Sequence, residues 1–435
     1  MNRPWKRIAL AGLALAGALL LGGCSAPSSA EELFTLPQLP LEYSDLSRQI
    51  NALIEQGYEY ASPTGGRNIQ SVQMVDLDGD GDEEAVAFFR RSTDEKPLKI
   101  IVFSANGEKY ERFCTIESSG TAVESVYYQD LTGDKQLEMV VGWRIAADVQ
   151  TVAAYSVQKD PKVLMQSGYV RYSLEDLNGD GMPSLLVFHP DDDGNSVAEF
   201  YSWQDETLSV SYSATLSGTM ADLTRGNVVS GRMANRRAAV YVTGVTEDAQ
   251  AVTDIITFHF GTGLINVALD PQTGSSGAVF PYAQLRPQDI NVDGVVEVPA
   301  PKVDREGQPT GIVDWMAYDG EGRAKLTMTT YHNLSGGWFF TLPKEWHGRV
   351  TVTTAERNNE IQTIFSVNGR DVGVIYTLVG ENRENRALRG NRQVIKRQPG
   401  TVYAGEVLPD GAKAGLTDVI LRQNFNLISN EWITG

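Results

Sequence analysis

Asp76-Leu77-Asp78-Gly79-Asp80-Gly81-Asp82-Glu83-Glu84, running straight into Ala85-Val86-Ala87-Phe88-Phe89, is the stretch on which the fold turns. The chain writes it again. Asp130-Leu131-Thr132-Gly133-Asp134 precedes Met139-Val140-Val141, and Asp176-Leu177-Asn178-Gly179-Asp180-Gly181 precedes Leu185-Leu186-Val187-Phe188. A fourth copy, Asp289-Ile290-Asn291-Val292-Asp293-Gly294, ends in Glu297. Repetition at such a period marks units of a repeated architecture.

Oxygen-bearing side chains at positions 1, 3 and 5 of a tight loop converge on one point. A backbone carbonyl at position 7 and an acid at position 9 close the shell. A set of hard oxygen ligands of that size suits Ca2+. The first copy offers Asp76, Asp78, Asp80, the carbonyl of Asp82, and Glu84; the second, Asp130, Thr132, Asp134, the carbonyl of Gln136, and Glu138. The third offers Asp176, Asn178, Asp180 and the carbonyl of Met182, but its ninth position is Ser184, a weak ligand. The fourth offers Asp289, Asn291, Asp293, the carbonyl of Val295, and Glu297. Glycine at position 6 supplies the positive φ of the turn, and Lys135 stands there in the second copy. An EF-hand needs an acid at position 12 and flanking helices. Here position 12 is Ala87, Val141, Val187 or Ala300, and the apolar, β-branched-rich run after each loop reads as a strand. An acidic surface turn without metal is the plain alternative, and recurrence before a strand weighs against it.

Asp-x-(Asp/Asn/Thr)-x-Asp-Gly-x-x-Glu entering a strand resembles the FG-GAP/VCBS repeat family, integrin-type propeller blades included, over about residues 70–330. The resemblance implies a β-propeller whose blade loops hold structural calcium, and it implies no single activity. Copies begin at 76, 130, 176 and 289, and the last gap is about twice the others. Asp222-Leu223-Thr224-Arg225-Gly226 reads as the eroded copy inside that gap, followed by a strand at Ala238–Val242. The fold expected is mainly β: a propeller of about 50-residue repeats, with five recognisable blades and room for up to seven, plus a small C-terminal α+β domain.

The first 23 residues read as a targeting segment. Arg3, Lys6 and Arg7 precede an apolar stretch from Ile8 to Leu21, and Leu21-Gly22-Gly23-Cys24 resembles a bacterial lipobox. The implication is cleavage before Cys24, a lipid on that residue, and an extracytoplasmic protein anchored to the bacterial cell membrane. Expected boundaries are 1–23 for the signal peptide, 24–44 for a tether, 45–335 for the propeller with an N-terminal helix, and 336–435 for the C-terminal domain. Cys114 is the other cysteine of the two, and it reads as a buried apolar residue. Net charge is −18, which argues against a nucleic-acid partner.

Leu46 to Tyr60 carries apolar residues at helical spacing, with Ser44 or Asp45 as a cap. Beyond Gly336, apolar runs with turns at Asn358-Asn359 and Asn368-Gly369 read as antiparallel strands. Thr417 caps a last helix with Leu421, Phe425 and Ile428 on one face. Arg383, Arg386, Arg389 and Arg392, then Lys396 and Arg397, form a basic stretch with two readings: an anion-binding loop, or a hairpin whose arginines pair with the propeller's acids. The four histidines form no zinc motif, and no nucleophile elbow or phosphate loop occurs. The function expected is binding or adhesion, with a surface glycan or an envelope protein as partner. A polysaccharide-active hydrolase or lyase and an envelope assembly factor are the alternatives.

Overall fold

A computed structural model describes residues 43–106, 109–357 and 359–428. The signal segment, Cys24 and the tether up to residue 42 lie outside the described residues. Helix α1 (Ser44–Glu55) opens the described chain. Sheet I follows: β1 (Glu59–Tyr60), β2 (Val72–Val75), β3 (Glu84–Arg90), β4 (Leu98–Asn106) and β5 (Lys109–Ser118). Sheet II is β6 (Ala122–Gln129), β7 (Glu138–Ala146), β8 (Val149–Ser156) and β9 (Lys162–Gly168). Sheet III is β10 (Arg171–Glu175), β11 (Ser184–Pro190), β12 (Ser196–Gln204) and β13 (Thr207–Thr215).

A short helix α2 (Met220–Thr224) leads to sheet IV: β14 (Asn227–Arg232), β15 (Ala238–Val245), β16 (Gln250–His259), β17 (Gly263–Asn266) and β18 (Val279–Pro281). Sheet V is β19 (Glu297–Val303), β20 (Pro309–Tyr318), β21 (Ala324–Asn333) and β22 (Trp338–Thr341). Sheet VI holds β23 (Val350–Arg357), β24 (Glu360–Val367), β25 (Arg370–Val379), helix α3 (Arg383–Arg386), β26 (Gln393–Gln398) and β27 (Thr401–Val407). Helix α4 (Asp418–Gln423) and β28 (Phe425–Leu427) end the described chain. The protein is therefore mainly β, in antiparallel sheets that are mostly sequential meanders.

The apolar runs at β3, β7, β11 and β15 are continuous because these strands are buried on both faces. On β7, Met139 and Val141 enter the core shared by sheets I and II, while Val140 enters the core of sheets II and III. On β11, Leu185 and Val187 face sheet II while Leu186 and Phe188 face sheet IV. On β15, Val240 and Val242 face sheet III while Ala239 and Tyr241 face sheet V. Consecutive sheets thus stack face to face in chain order. Helix α1 covers the free face of sheet I with Leu46, Ile50 and Leu53. No side chain caps its N-terminus; Asp45 instead accepts the Tyr110 N–H at 2.9 Å.

The chain end departs from expectation. The boundary expected at residue 336 falls inside sheet V, because β22 pairs with β21 and β28 returns to pair with β22. Thr417 does cap a helix, accepting from the Ile420 N–H, but that helix stops at Gln423 and Phe425 begins a strand. Trp338, Phe340 and Trp346 pack with Phe365, Ile375 and Tyr403, so sheet VI shares one core with sheet V.

First strands β6, β10 and β14, with Arg67-Asn68 ahead of β2 and Arg286-Pro287-Gln288 ahead of β19, line one cavity of about 650 Å³.

Candidate metal centre

Three of the acidic copies join hydrogen-bonded neighbours, β2 to β3, β6 to β7 and β10 to β11, and the fourth runs from an isolated bridge at Gln288 into β19. Register fixes its ends: Val75 pairs with Glu84, Gln129 with Glu138, Glu175 with Ser184, and Gln288 with Glu297. Position 2 is an apolar plug in every copy. Leu77, Leu131, Leu177 and Ile290 are all buried in the cores below.

The first aspartate folds the loop by accepting backbone N–H groups. Asp76 Oδ1 accepts from Gly79 at 2.8 Å, and its Oδ2 from Gly81 at 3.1 Å. Asp130 takes Gly133 and Lys135 at 2.7 and 3.0 Å, and Asp176 takes Gly179 and Gly181 at 2.7 and 3.0 Å. Asp289 takes Asp293 and Gly294 at 2.9 and 2.7 Å. Positions 4 and 6 both have positive φ, and two non-glycines adopt it: Lys135 at 71° and Val292 at 59°. Such a conformation disfavours any side chain, and a β-branched one most.

Position 9 sits at the head of the strand that follows the loop. Glu84, Glu138 and Glu297 are buried, and their Oε2 atoms accept the N–H of Leu77 at 2.9 Å, Leu131 at 2.8 Å and Ile290 at 3.3 Å. Burial, with the neighbouring aspartates, pushes Glu138 and Glu297 up to about 7 and raises Glu84. A carboxylate held in that setting invites a cation, which relieves both burial and repulsion. Carboxylate oxygens of Asp76, Asp78 and Glu84 all lie within 4.8 Å of one another. Among the described residues this is the one loop whose three acids meet at that spacing. Asp80 and Asn178 also make local hydrogen bonds: Asp80 accepts the Asp82 N–H, and the Asn178 amide donates to Asp180. In the second loop Asp134 accepts from Gln136, and Thr132 Oγ1 is buried with no hydrogen-bond partner among the described residues. Met182, Asp293 and Val295 follow the same rule: Asp180 accepts the Met182 N–H and Asp293 the Val295 N–H.

The loops are neighbours in space. Leu137 N–H donates to the Leu77 carbonyl at 2.7 Å, tying the second loop to the first. Gly133 sits so close to the third loop that a Cβ there would come within 2.8 Å of Met182 Sδ.

The eroded copy is misplaced by its spacing. Residues 222–226 form the end of α2 and the entry to β14, with Asp222 bonded to Thr219 and Arg225. The connection that matches the acidic loops is Met233-Ala234-Asn235-Arg236-Arg237, between β14 and β15, and it carries cations where the others carry acids. Arg236 donates to the Asp293 carbonyl at 2.6 Å, so this loop leans on the fourth acidic one.

The basic stretch is a turn tied to its own sheet. Arg392 grips both Glu360 oxygens, at 2.9 and 2.8 Å, and lies 3.7 Å over the Tyr376 ring. Arg386 is buried and donates to the carbonyls of Asn359, Val379 and Glu381. Arg397 pairs with Glu384. The acids used therefore belong to sheet VI and its turn, while Arg389 and Lys396 are exposed. Cys114 is buried, and burial pushes its thiol up to about 12.

One feature lies beyond sequence reading. A cavity of about 290 Å³ opens beside the third loop, between that loop and the rings of Trp203, Tyr212 and Phe258. Its only sequence signal is the break in pattern at Ser184.

No family model matches the chain, and no curated protein matches it. Solved structures give low-scoring matches. A hypothetical protein from Leishmania major is 14% identical, with 65% of this chain and 93% of that one covered, at TM-score 0.23. AofleA from Arthrobotrys oligospora is 9% identical, covering 74% and 90%, at TM-score 0.25. A putative 6-phosphogluconolactonase from Bacteroides fragilis is 10% identical, covering 72% and 94%, at TM-score 0.27. At these scores the likenesses say nothing about fold or function.

Proposed function

We propose that the chain is a lipid-anchored, extracytoplasmic binding protein: a calcium-stiffened β-propeller of the FG-GAP/VCBS kind, without catalytic chemistry of its own. Its five blades are sheets I to V, whose leading segments meet at the 650 Å³ cavity. The observation that carries the reading is the buried glutamate at position 9. In three loops it is clasped to the backbone at the head of a strand and faces the aspartates of its own loop. That places acid where it staples two strands, and these three glutamates are bonded to backbone inside their own loops rather than paired as acid and base across a cleft. Bound calcium would be held in the first loop by Asp76, Asp78, Asp80 and Glu84, and in the others by the matching residues. There it would neutralise crowded carboxylates and favour the folded state alone.

Melting the protein in calcium and in EDTA tests this. Calcium at about a hundred times its Kd adds about 2.7 kcal/mol per loop, so EDTA lowers the melting temperature by several degrees; an unchanged melt sinks the reading. The anchor is tested separately. Cys24→Ser is expected to move the protein from the membrane to the soluble fraction, and retention in the membrane refutes the lipid.

A further inference from the structure

The third loop is built like the others and finished differently. Glu84, Glu138 and Glu297 close their loops, but Ser184 stands at the same register position. Its side chain is two bonds shorter and cannot reach the aspartates as a glutamate does. Ser184 is 8% exposed, its hydroxyl makes no hydrogen bond with any described residue, and it lines the 290 Å³ cavity. Asn178 and Asp180 of the loop line the same space, opposite Trp203, Tyr212 and Phe258. Gln204 bridges the Ser202 and Ser211 hydroxyls at 3.1 and 2.7 Å on the cavity wall.

We propose that this cavity is a calcium-dependent site for a neutral saccharide, in which sugar hydroxyls complete the metal shell that Ser184 leaves open. The proposal rests on the calcium reading of the loops and adds a ligand to one of them. Three observations fix its chemistry. First, the loop supplies only two carboxylates, Asp176 and Asp180, against four in the first loop, so a divalent ion there is just neutralised and short of oxygens. Neutral oxygens in vicinal pairs suit such an ion, and a lining that holds Asp180 and no cationic side chain disfavours an anionic ligand. Second, aromatic rings opposite the loop offer flat, weakly negative faces for the C–H side of a pyranose. Amide and hydroxyl groups beside them both donate and accept. Third, the volume lies at the small end of ligand sites, which fits one sugar ring rather than an extended chain.

Isothermal titration of the full chain in detergent with methyl α-mannopyranoside and methyl β-galactopyranoside tests it. Binding heat is expected for at least one glycoside in calcium and none in EDTA. Trp203→Ala is expected to weaken binding about tenfold or more by removing the flat ring face, while leaving the calcium shift of the melting temperature in place. Ser184→Glu rebuilds the closed loop: calcium is expected to bind that loop about tenfold tighter, and the glycoside response disappears. No heat with either glycoside in calcium overturns the proposal, as does binding that survives EDTA. Should Ser184→Glu fold poorly, unchanged glycoside binding in Trp203→Ala overturns it instead. A melt that falls in EDTA without any glycoside response leaves the structural calcium standing and removes only this site.

Discussion

Two residues carry stability effects that can be measured one at a time. Val292 occupies position 4 of the fourth loop at φ 59°, where the other three loops have glycine, and it is exposed, so no packing compensates. Left-handed backbone costs an L-residue about 1–2 kcal/mol, while glycine costs up to about 1 kcal/mol in unfolded-state entropy. Val292→Gly is therefore expected to raise stability by about 0.5–1 kcal/mol; a lower urea midpoint contradicts the strain. His332 acts through protons. It stacks on Phe339 at 5.3 Å, tilts against Trp315 at 5.9 Å, and contacts Thr330 Oγ1 through Nε2 at 2.9 Å. Trp315 Nε1 donates to that same Oγ1, so the threonine proton is free to point at a neutral imidazole. Burial pushes His332 down to about 3 from 6.5. Between those values the unfolded chain holds a proton that the folded chain refuses. The stabilising contribution is complete above pH 6.5 and is lost as pH falls towards 3, up to about 5 kcal/mol in all. His332→Phe is expected to flatten the fall in urea midpoint between pH 7 and pH 4; equal slopes in the two proteins refute it.

At the scale of elements, legibility follows how local the cause is. Acidic turns and the strands after them are readable because each first aspartate closes its turn within five residues and the two-sided burial of β3, β7 and β11 writes itself as an apolar run. Helix α1 is readable from Leu46, Ile50 and Leu53, but not its cap, since Asp45 serves Tyr110 some 65 residues away. Asp222 misleads because a period of about 46 residues holds for loops, whereas the connection in sheet IV starts later and has exchanged acids for Arg236 and Arg237. Nothing nearby in sequence marks Arg236 as a neighbour of the fourth loop. The same is true of the cavity at the third loop, whose walls come from residues 131 to 258. The helix expected to carry Phe425 stops early because Phe425 is claimed by sheet V, where it packs 5.4 Å from Trp338 and 5.1 Å from Tyr403.

At the scale of the whole molecule, that return of the chain end decides where the protein can be cut. Sheets I to IV complete themselves in chain order, but sheet V does not. Its fourth strand is β22 and its fifth is β28, from either side of sheet VI. Trp338 and Phe340 are fully buried, and they cover Tyr331 on one side while meeting Phe365 of sheet VI on the other. A chain stopped at residue 335 thus loses two strands of sheet V and the aromatic core beneath it, leaving a long open edge at β21. Losing a single buried aromatic side chain costs about 3–5 kcal/mol, and this cut removes several from a fold whose net stability is about 5–15 kcal/mol. Fragment 1–335 is expected to aggregate or to unfold without a cooperative transition, even in saturating calcium, because four intact acidic loops cannot replace an absent strand pair. The full chain is expected to give one cooperative transition in which tryptophan fluorescence, reported from Trp143, Trp203, Trp315, Trp338 and Trp346 among others, and far-ultraviolet dichroism coincide. A fragment 1–335 that stays monomeric and melts cooperatively with the same calcium shift as the full chain would show that sheet V closes without its C-terminal strands.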